Sequence, residues 1–122
     1  MKTIGTSTLI SAAPQLPASD IAGTIEFYRD KLGFSLSAEY PGFAILKRDS
    51  VEVHLWQCEN KIVAENSSCY VRVQGVDNLY AEVTERGATV QEHLAVRPWG
   101  MRQFSILDPS GNAIRFGEPV DR

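Results

Sequence analysis

With only two cysteines, two histidines and no long apolar run, the sequence is short of the residues that several functions require. Cys58 and Cys69 lack metal-type spacing and lie among strand-like residues, which favours reduced thiols in a reducing compartment over a disulfide staple. Neither forms a recognisable cysteine–histidine motif, and no serine occupies a glycine-flanked strand-to-helix elbow, so nucleophilic catalysis has no recognisable pair. A glycine-rich loop able to cradle phosphate is also missing. No apolar stretch approaches a bilayer-crossing length, and Met1 to Ser11 carries one lysine and no sustained apolar core. Neither membrane association nor secretion is expected, and the expected location is cytoplasmic. A formal charge of −3 argues against general nucleic-acid binding and mildly favours a cationic small molecule.

What is present suits one domain. A chain of 122 residues, 43% of them hydrophobic and 22% charged, can bury a core but divides poorly into two domains, so residues 1–122 are expected to form one. Met1 to Ser11 reads as a loose arm. Ala13 to Pro17 reads as a short strand, and its prolines confine it to a sheet edge, a strand start or a segment exchanged between subunits. Asp20 is placed to cap a helix in which Ile21, Ile25, Tyr28 and Leu32 recur at helical spacing until Gly33 stops the run. Strands are predicted over Phe34 to Glu39, Phe43 to Lys47 and Val51 to Trp56. In the last, Val51, Val53 and Leu55 alternate with Glu52, His54 and Trp56, leaving an aliphatic face for the helix and a polar, aromatic face for solvent, a partner or a ligand.

The order then repeats. Cys58 to Ser67 reads as a polar connector and Ser68 to Val73 as a strand. Asp77 is the expected cap of a second helix, with Val76, Leu79, Tyr80 and Val83 facing inward and Gly87 ending it. A strand over Ala88 to Gln91, a long loop from His93 to Gly100 and a hairpin of Gln103 to Leu107 with Ala113 to Gly117 complete the chain. Pro109, Gly111 and Asn112 set the hairpin turn. The pattern predicts an α+β fold: two β-α-β-β-β modules, over about 8–58 and 67–118, forming a curved mixed sheet with helices on its outer face. Its concave face would collect Phe43, Glu52, His54, Trp56, Ser68, Tyr70 and Arg115.

His54 and Glu52 share a face, but the positions opposite them offer Ala13 or Gln15, Ser68, Tyr70 and Arg115, so neither a metal centre nor another cofactor is expected. That leaves His54 as a groove hydrogen-bonder or a buried structural residue. Trp99, held between Pro98 and Gly100, is either an indole presented to a ligand or a core plug. Phe43, Trp56 and Trp99, with Tyr40 as a possible fourth, offer flat faces to a planar or cationic ligand, which favours a binding protein over an enzyme.

The doubled module, the run Leu16 to Asp20 with Glu26-Phe27-Tyr28 and Leu32-Gly33-Phe34, and the closing Asp108-Pro109-Ser110-Gly111-Asn112 resemble the vicinal-oxygen-chelate superfamily of glyoxalases, extradiol dioxygenases and antibiotic-resistance proteins. Through Asp20 to Phe34, Val73 to Glu82 and Pro98 to Phe116, with its Pro98-Trp99-Gly100, the chain is most similar to the bleomycin resistance proteins. The resemblance implies a homodimer with an exchanged N-terminal strand, hinged at Pro14, and two interfacial grooves that sequester bleomycin-type antibiotics without modifying them. It implies that Trp99 and Phe43 sandwich the drug's bithiazole, with Gly100 beside it and His54, Trp56, Ser68, Tyr70 and Arg115 lining the groove. The superfamily's metal positions fall near Ala13, His54, Ser68 and Arg115, of which His54 alone is a good ligand. Two departures stand out: Glu52 to Trp56 is bulkier than usual on its groove face, and few acids surround Ser37. The alternatives are a metal-dependent lyase or dioxygenase of the same superfamily, or a binder of another small metabolite.

Overall fold

The computed structural model describes residues 4–120. Helix α1 (Ile21–Leu32) begins where Asp20 accepts the Gly23 N–H at 3.0 Å, and ends at Gly33, whose φ of 71° is left-handed. The side chains predicted at helical spacing, Ile21, Ile25, Tyr28 and Leu32, are buried, together with Thr24. Strands β1 (Gln15–Ala18), β2 (Ser35–Tyr40), β3 (Phe43–Arg48) and β4 (Val51–Gln57) form a four-stranded sheet in the order β1-β4-β3-β2. Here β1 is an edge strand running parallel to β4, where its prolines interrupt little. Val53 and Leu55 of β4 are fully buried, as their alternation requires.

After a short helix α2 (Lys61–Glu65) comes β5 (Ser68–Arg72), then α3 (Val76–Glu85), β6 (Thr89–Val96), β7 (Met101–Leu107) and β8 (Ala113–Pro119). These strands repeat the first topology as β5-β8-β7-β6, again with a parallel pair at the edge. The α+β class and the doubled order stand, but the strands of one chain make two separate mixed sheets instead of one continuous sheet.

Three local expectations are corrected. The connector contains α2, started by the Asn60 side chain accepting the Ile62 N–H at 3.1 Å; five residues are too few to show a helical period. Asp77 is not the cap of α3. Glu118 on β8 accepts the Gly75 and Val76 N–H groups, each at 3.1 Å, while Asp77 lies in the first turn and pairs with Arg102 at 2.7 Å. The first half of the loop expected from His93 is strand: β6 continues to Val96, with register shifts at Val90/Glu92 and Glu92/Ala95 that break its alternation. Among the described residues, no helix is long and apolar enough to cross a membrane.

A single apolar core joins the halves. Ala44, Leu46 and Leu55 of the first sheet and Phe104, Ile106 and Phe116 of the second belong to one buried cluster, together with residues of α1 and α3. On the same side, Arg86 beyond α3 donates to the Asp30 carbonyl of α1 at 3.3 Å, and Arg48 makes a two-bond pair with Glu82 at 3.0 Å. The Arg48 guanidinium holds the Glu82 carboxyl below its usual range. Each sheet therefore turns its other face away from the shared interior.

The hairpin turn between β7 and β8 ties the halves together at a buried carboxylate. Asp108 Oδ1 accepts the N–H groups of Ser110, Gly111 and Asn112 at 3.0 to 3.1 Å, and Oδ2 accepts the Tyr28 hydroxyl of α1 at 3.0 Å. Asn112 Nδ2 donates both to Asp108 Oδ2 and to the Pro17 carbonyl of β1, each at 2.8 Å. Burial raises the Asp108 carboxyl above its ordinary value against the pull of these donors, and burial followed by the neighbouring Asp108 charge raises the Tyr28 phenol well above its own. Tyr28→Phe should lower the unfolding free energy by about 1–3 kcal/mol, the cost of removing one donor from a buried acceptor. Urea unfolding midpoints of the two proteins measure it.

Candidate functional site

The outward face of the first sheet carries a connected aromatic and polar group. Strand register sets Gln15 beside His54 and His54 beside Ile45, with Trp56 beside Phe43. Gln15 Nε2 lies 3.1 Å from His54 Nδ1, and His54 Nε2 lies 2.6 Å from Glu52 Oε1. An amide nitrogen can only donate, so Nδ1 is the acceptor and Nε2–H donates to the Glu52 carboxylate. The Phe43 ring meets the imidazole edge-on, with centroids 5.4 Å apart, and Trp56 Nε1 donates to the Gln15 carbonyl at 3.3 Å. His54 is thus a hydrogen-bonded, half-buried residue with both nitrogens engaged.

On the second sheet, the turn from Arg97 to Gly100 closes through Gly100 N–H to the Arg97 carbonyl at 3.0 Å, with Gly100 at φ 80°. The turn presents Trp99, whose side chain stands in the open: the residue is 64% exposed, which rules out the core-plug reading. Register places Tyr70 beside Arg115 and Arg115 beside Ser105, with Ser68 at the start of the same edge strand. Two residues that the sequence reading passed over complete this face. Gln103, buried in β7, accepts from the Tyr70 hydroxyl at 2.9 Å and from Trp99 Nε1 at 3.2 Å. Gly117 leaves room for the Tyr70 hydroxyl, which a Cβ would strike. Their signal was the alternation of Gln103 and Ser105 with the apolar Phe104 and Ile106, which marks polar residues on a face opposite the core.

The structure therefore brings Phe43, His54 and Trp56 together on one sheet, and Ser68, Tyr70, Trp99, Gly100 and Arg115 on the other. It does not bring the two sets together, since both faces look away from the common core. A cleft of about 540 Å³ between the halves lies elsewhere: it is lined by residues such as Phe34, Arg48, Val71 and Glu82, and by none of the expected site residues.

Reactive chemistry is poorly supplied. Burial pushes the Cys69 thiol up to about 11, with Asp108 adding to the rise and Arg115 opposing it, so at neutral pH the group stays protonated and weakly nucleophilic. Among the described residues, no group of three or more His, Cys, Asp or Glu side chains is placed to hold a metal ion. What the two faces offer is rings and hydrogen-bonding groups, suited to holding a planar ligand in place.

Residues 10–116 match the Glyoxalase/Bleomycin resistance protein/Dioxygenase superfamily. The bleomycin resistance proteins of Geobacillus stearothermophilus and Staphylococcus aureus are each 31% identical over 130 residues, covering 92% of this chain and 98% of theirs. The structure of the bleomycin-binding protein from bleomycin-producing Streptomyces verticillus, complexed with copper(II)-bleomycin, is similar with a TM-score of 0.84 at 27% identity, over 96% of this chain and 100% of that one. A bleomycin resistance determinant encoded on the transposon Tn5 has the same fold, with a TM-score of 0.82 at 22% identity over 91% and 98% of the two chains.

Because Trp99 fills no core space, Trp99→Ala should change the unfolding free energy by less than about 1 kcal/mol. A buried aromatic would cost about 3–5 kcal/mol. Chemical denaturation distinguishes the two values.

Proposed function

Because this chain belongs to the glyoxalase/bleomycin resistance protein/dioxygenase superfamily, we propose that it binds and sequesters a bleomycin-family glycopeptide antibiotic without modifying it. The observation that carries this reading is the pair of aromatic faces, Phe43 with Trp56 on one sheet and Trp99 with Tyr70 on the other, both turned outward and neither complete alone. Two copies of the chain supply the missing half to each other. Phe43 of one copy then faces Trp99 of the other, and a bithiazole slides between them, with Gly100 beside it and His54, Ser68 and Arg115 as polar contacts. A metal-dependent reaction is less well provided for. The positions Ala13, Ser68 and Arg115 offer no imidazole, thiolate or carboxylate to join His54, whose nitrogens are both already engaged.

The N-terminal arm supports the dimer. Ile4, Leu9 and Ile10 are 91%, 97% and 88% exposed, apolar side chains with no cover from their own chain. Burying each against a second copy is worth about 1.5–3 kcal/mol. Strand β1 pairs within the chain, the His54 N–H donating to the Pro14 carbonyl at 2.9 Å, and the exchanged N-terminal segment of the proposal is the arm before Pro14. Pro14 then stands where the arm leaves the sheet, as a hinge residue should.

Titration with bleomycin, followed by tryptophan fluorescence, should give saturable binding by the parent protein. Stacking is worth about 1–3 kcal/mol per ring by analogy with nucleobases, so Trp99→Ala and Phe43→Ala should each weaken binding at least about tenfold. Unchanged affinity in both variants would remove the sandwich from the account.

A further inference from the structure

The polar tips of the two large rings on the second sheet converge on one atom. Gln103 Oε1 accepts from Tyr70 on the edge strand β5 and from Trp99 on the turn before β7. A carbonyl oxygen has two lone pairs, and here both are taken by groove rings. Gln103 is 4% exposed and is the third residue of β7, in register with Gly117 on one side and Ala95 on the other. Its side chain is thus anchored on an interior strand of the sheet, whereas Tyr70 stands on the edge strand and Trp99 on an exposed turn. Gly117 completes the arrangement, because the absence of a Cβ lets the Tyr70 phenol lie across β8 to reach Gln103.

We propose that Gln103 is the positioning residue of this half-site: it locks Trp99 and Tyr70 into one preformed wall before any ligand arrives. The proposal rests on the binding function proposed above and adds to it the origin of the wall's rigidity. Without the shared acceptor, both rings keep their surface but lose their common orientation. An exposed indole on a short turn then has several rotamers to give up on binding, and affinity falls although no contact has been removed. Gln103→Met keeps the length and bulk of the side chain but removes the strong acceptor, while Gln103→Glu keeps an acceptor for both donors.

The test is the ¹⁵N relaxation of the indole N–H groups in ligand-free protein, with the two signals assigned through Trp56→Phe. In the parent, Trp99 Nε1 should show an order parameter near the rigid-backbone value of about 0.85. It should fall below about 0.6 in Gln103→Met and return to the parent value in Gln103→Glu. Bleomycin affinity of Gln103→Met should fall on the order of 3- to 10-fold, less than for loss of the ring itself. A mobile Trp99 in the parent, or an unchanged order parameter in Gln103→Met, would overturn the proposal, and the parent measurement needs no variant to fold. Rigid Trp99 in a parent protein that fails to bind bleomycin would instead leave the wall standing and reject the function reading.

Discussion

The Asp108 carboxylate is where the two halves of this chain are held to each other. It organises its own hairpin turn through three backbone N–H groups, and through Tyr28 and Asn112 it reaches α1 and β1 of the other half. Removing a carboxylate from water is costly, and the burial that raises its pKa shows how far it has been removed. The surrounding donors make that burial tolerable: four come from the hairpin turn itself and the fifth, the Tyr28 hydroxyl, from α1, while Asn112 also reaches the Pro17 carbonyl of β1. The interaction therefore works only when both halves sit on the same core. With the core faces committed to each other, the remaining faces of the sheets have no choice but to look outward.

This commitment explains the form of the site. A chain whose halves packed side by side would have closed its own groove; this one presents two open surfaces of different character. The first is a polar relay, Gln15 to His54 to Glu52, beside the rings of Phe43 and Trp56. The second is an aromatic wall resting on a buried amide. Exposed rings in an isolated chain are a liability unless something covers them, and the proposed cover is a second copy together with a flat ligand. The uncovered apolar arm is consistent with the same partner.

Much of this was legible in the sequence wherever the determining interaction was local. Asp20 and Gly33 lie within one turn of the helix they bound, and Val53 and Leu55 alternate with His54 and Trp56 on an unbroken strand. Elements whose determinants lie far away in sequence were read wrongly. The cap of α3 comes from Glu118 on the last strand, so the nearby Asp77 drew the assignment by proximity. The register shifts in β6 hid a strand inside an expected loop. Of the site, the rings were visible as residue types, but not that they fall on two faces: that depends on which sides of the sheets are buried, and the alternation is equally compatible with either packing of the two modules. Gln103 was read as the first residue of a strand, and a single buried amide carries no mark of the two donors it serves.

The central claim is that each binding groove is shared between two chains, Phe43 from one and Trp99 from the other. Mixed dimers test it most directly. Phe43→Ala and Trp99→Ala chains, carrying different affinity tags, are refolded together, and the dimers bearing both tags are isolated and titrated with bleomycin. Each variant alone lacks a ring in every groove, whereas a mixed dimer has one groove with both rings and one with neither. The account predicts one site of parental affinity per mixed dimer; mixed dimers that bind no better than either variant alone would contradict it.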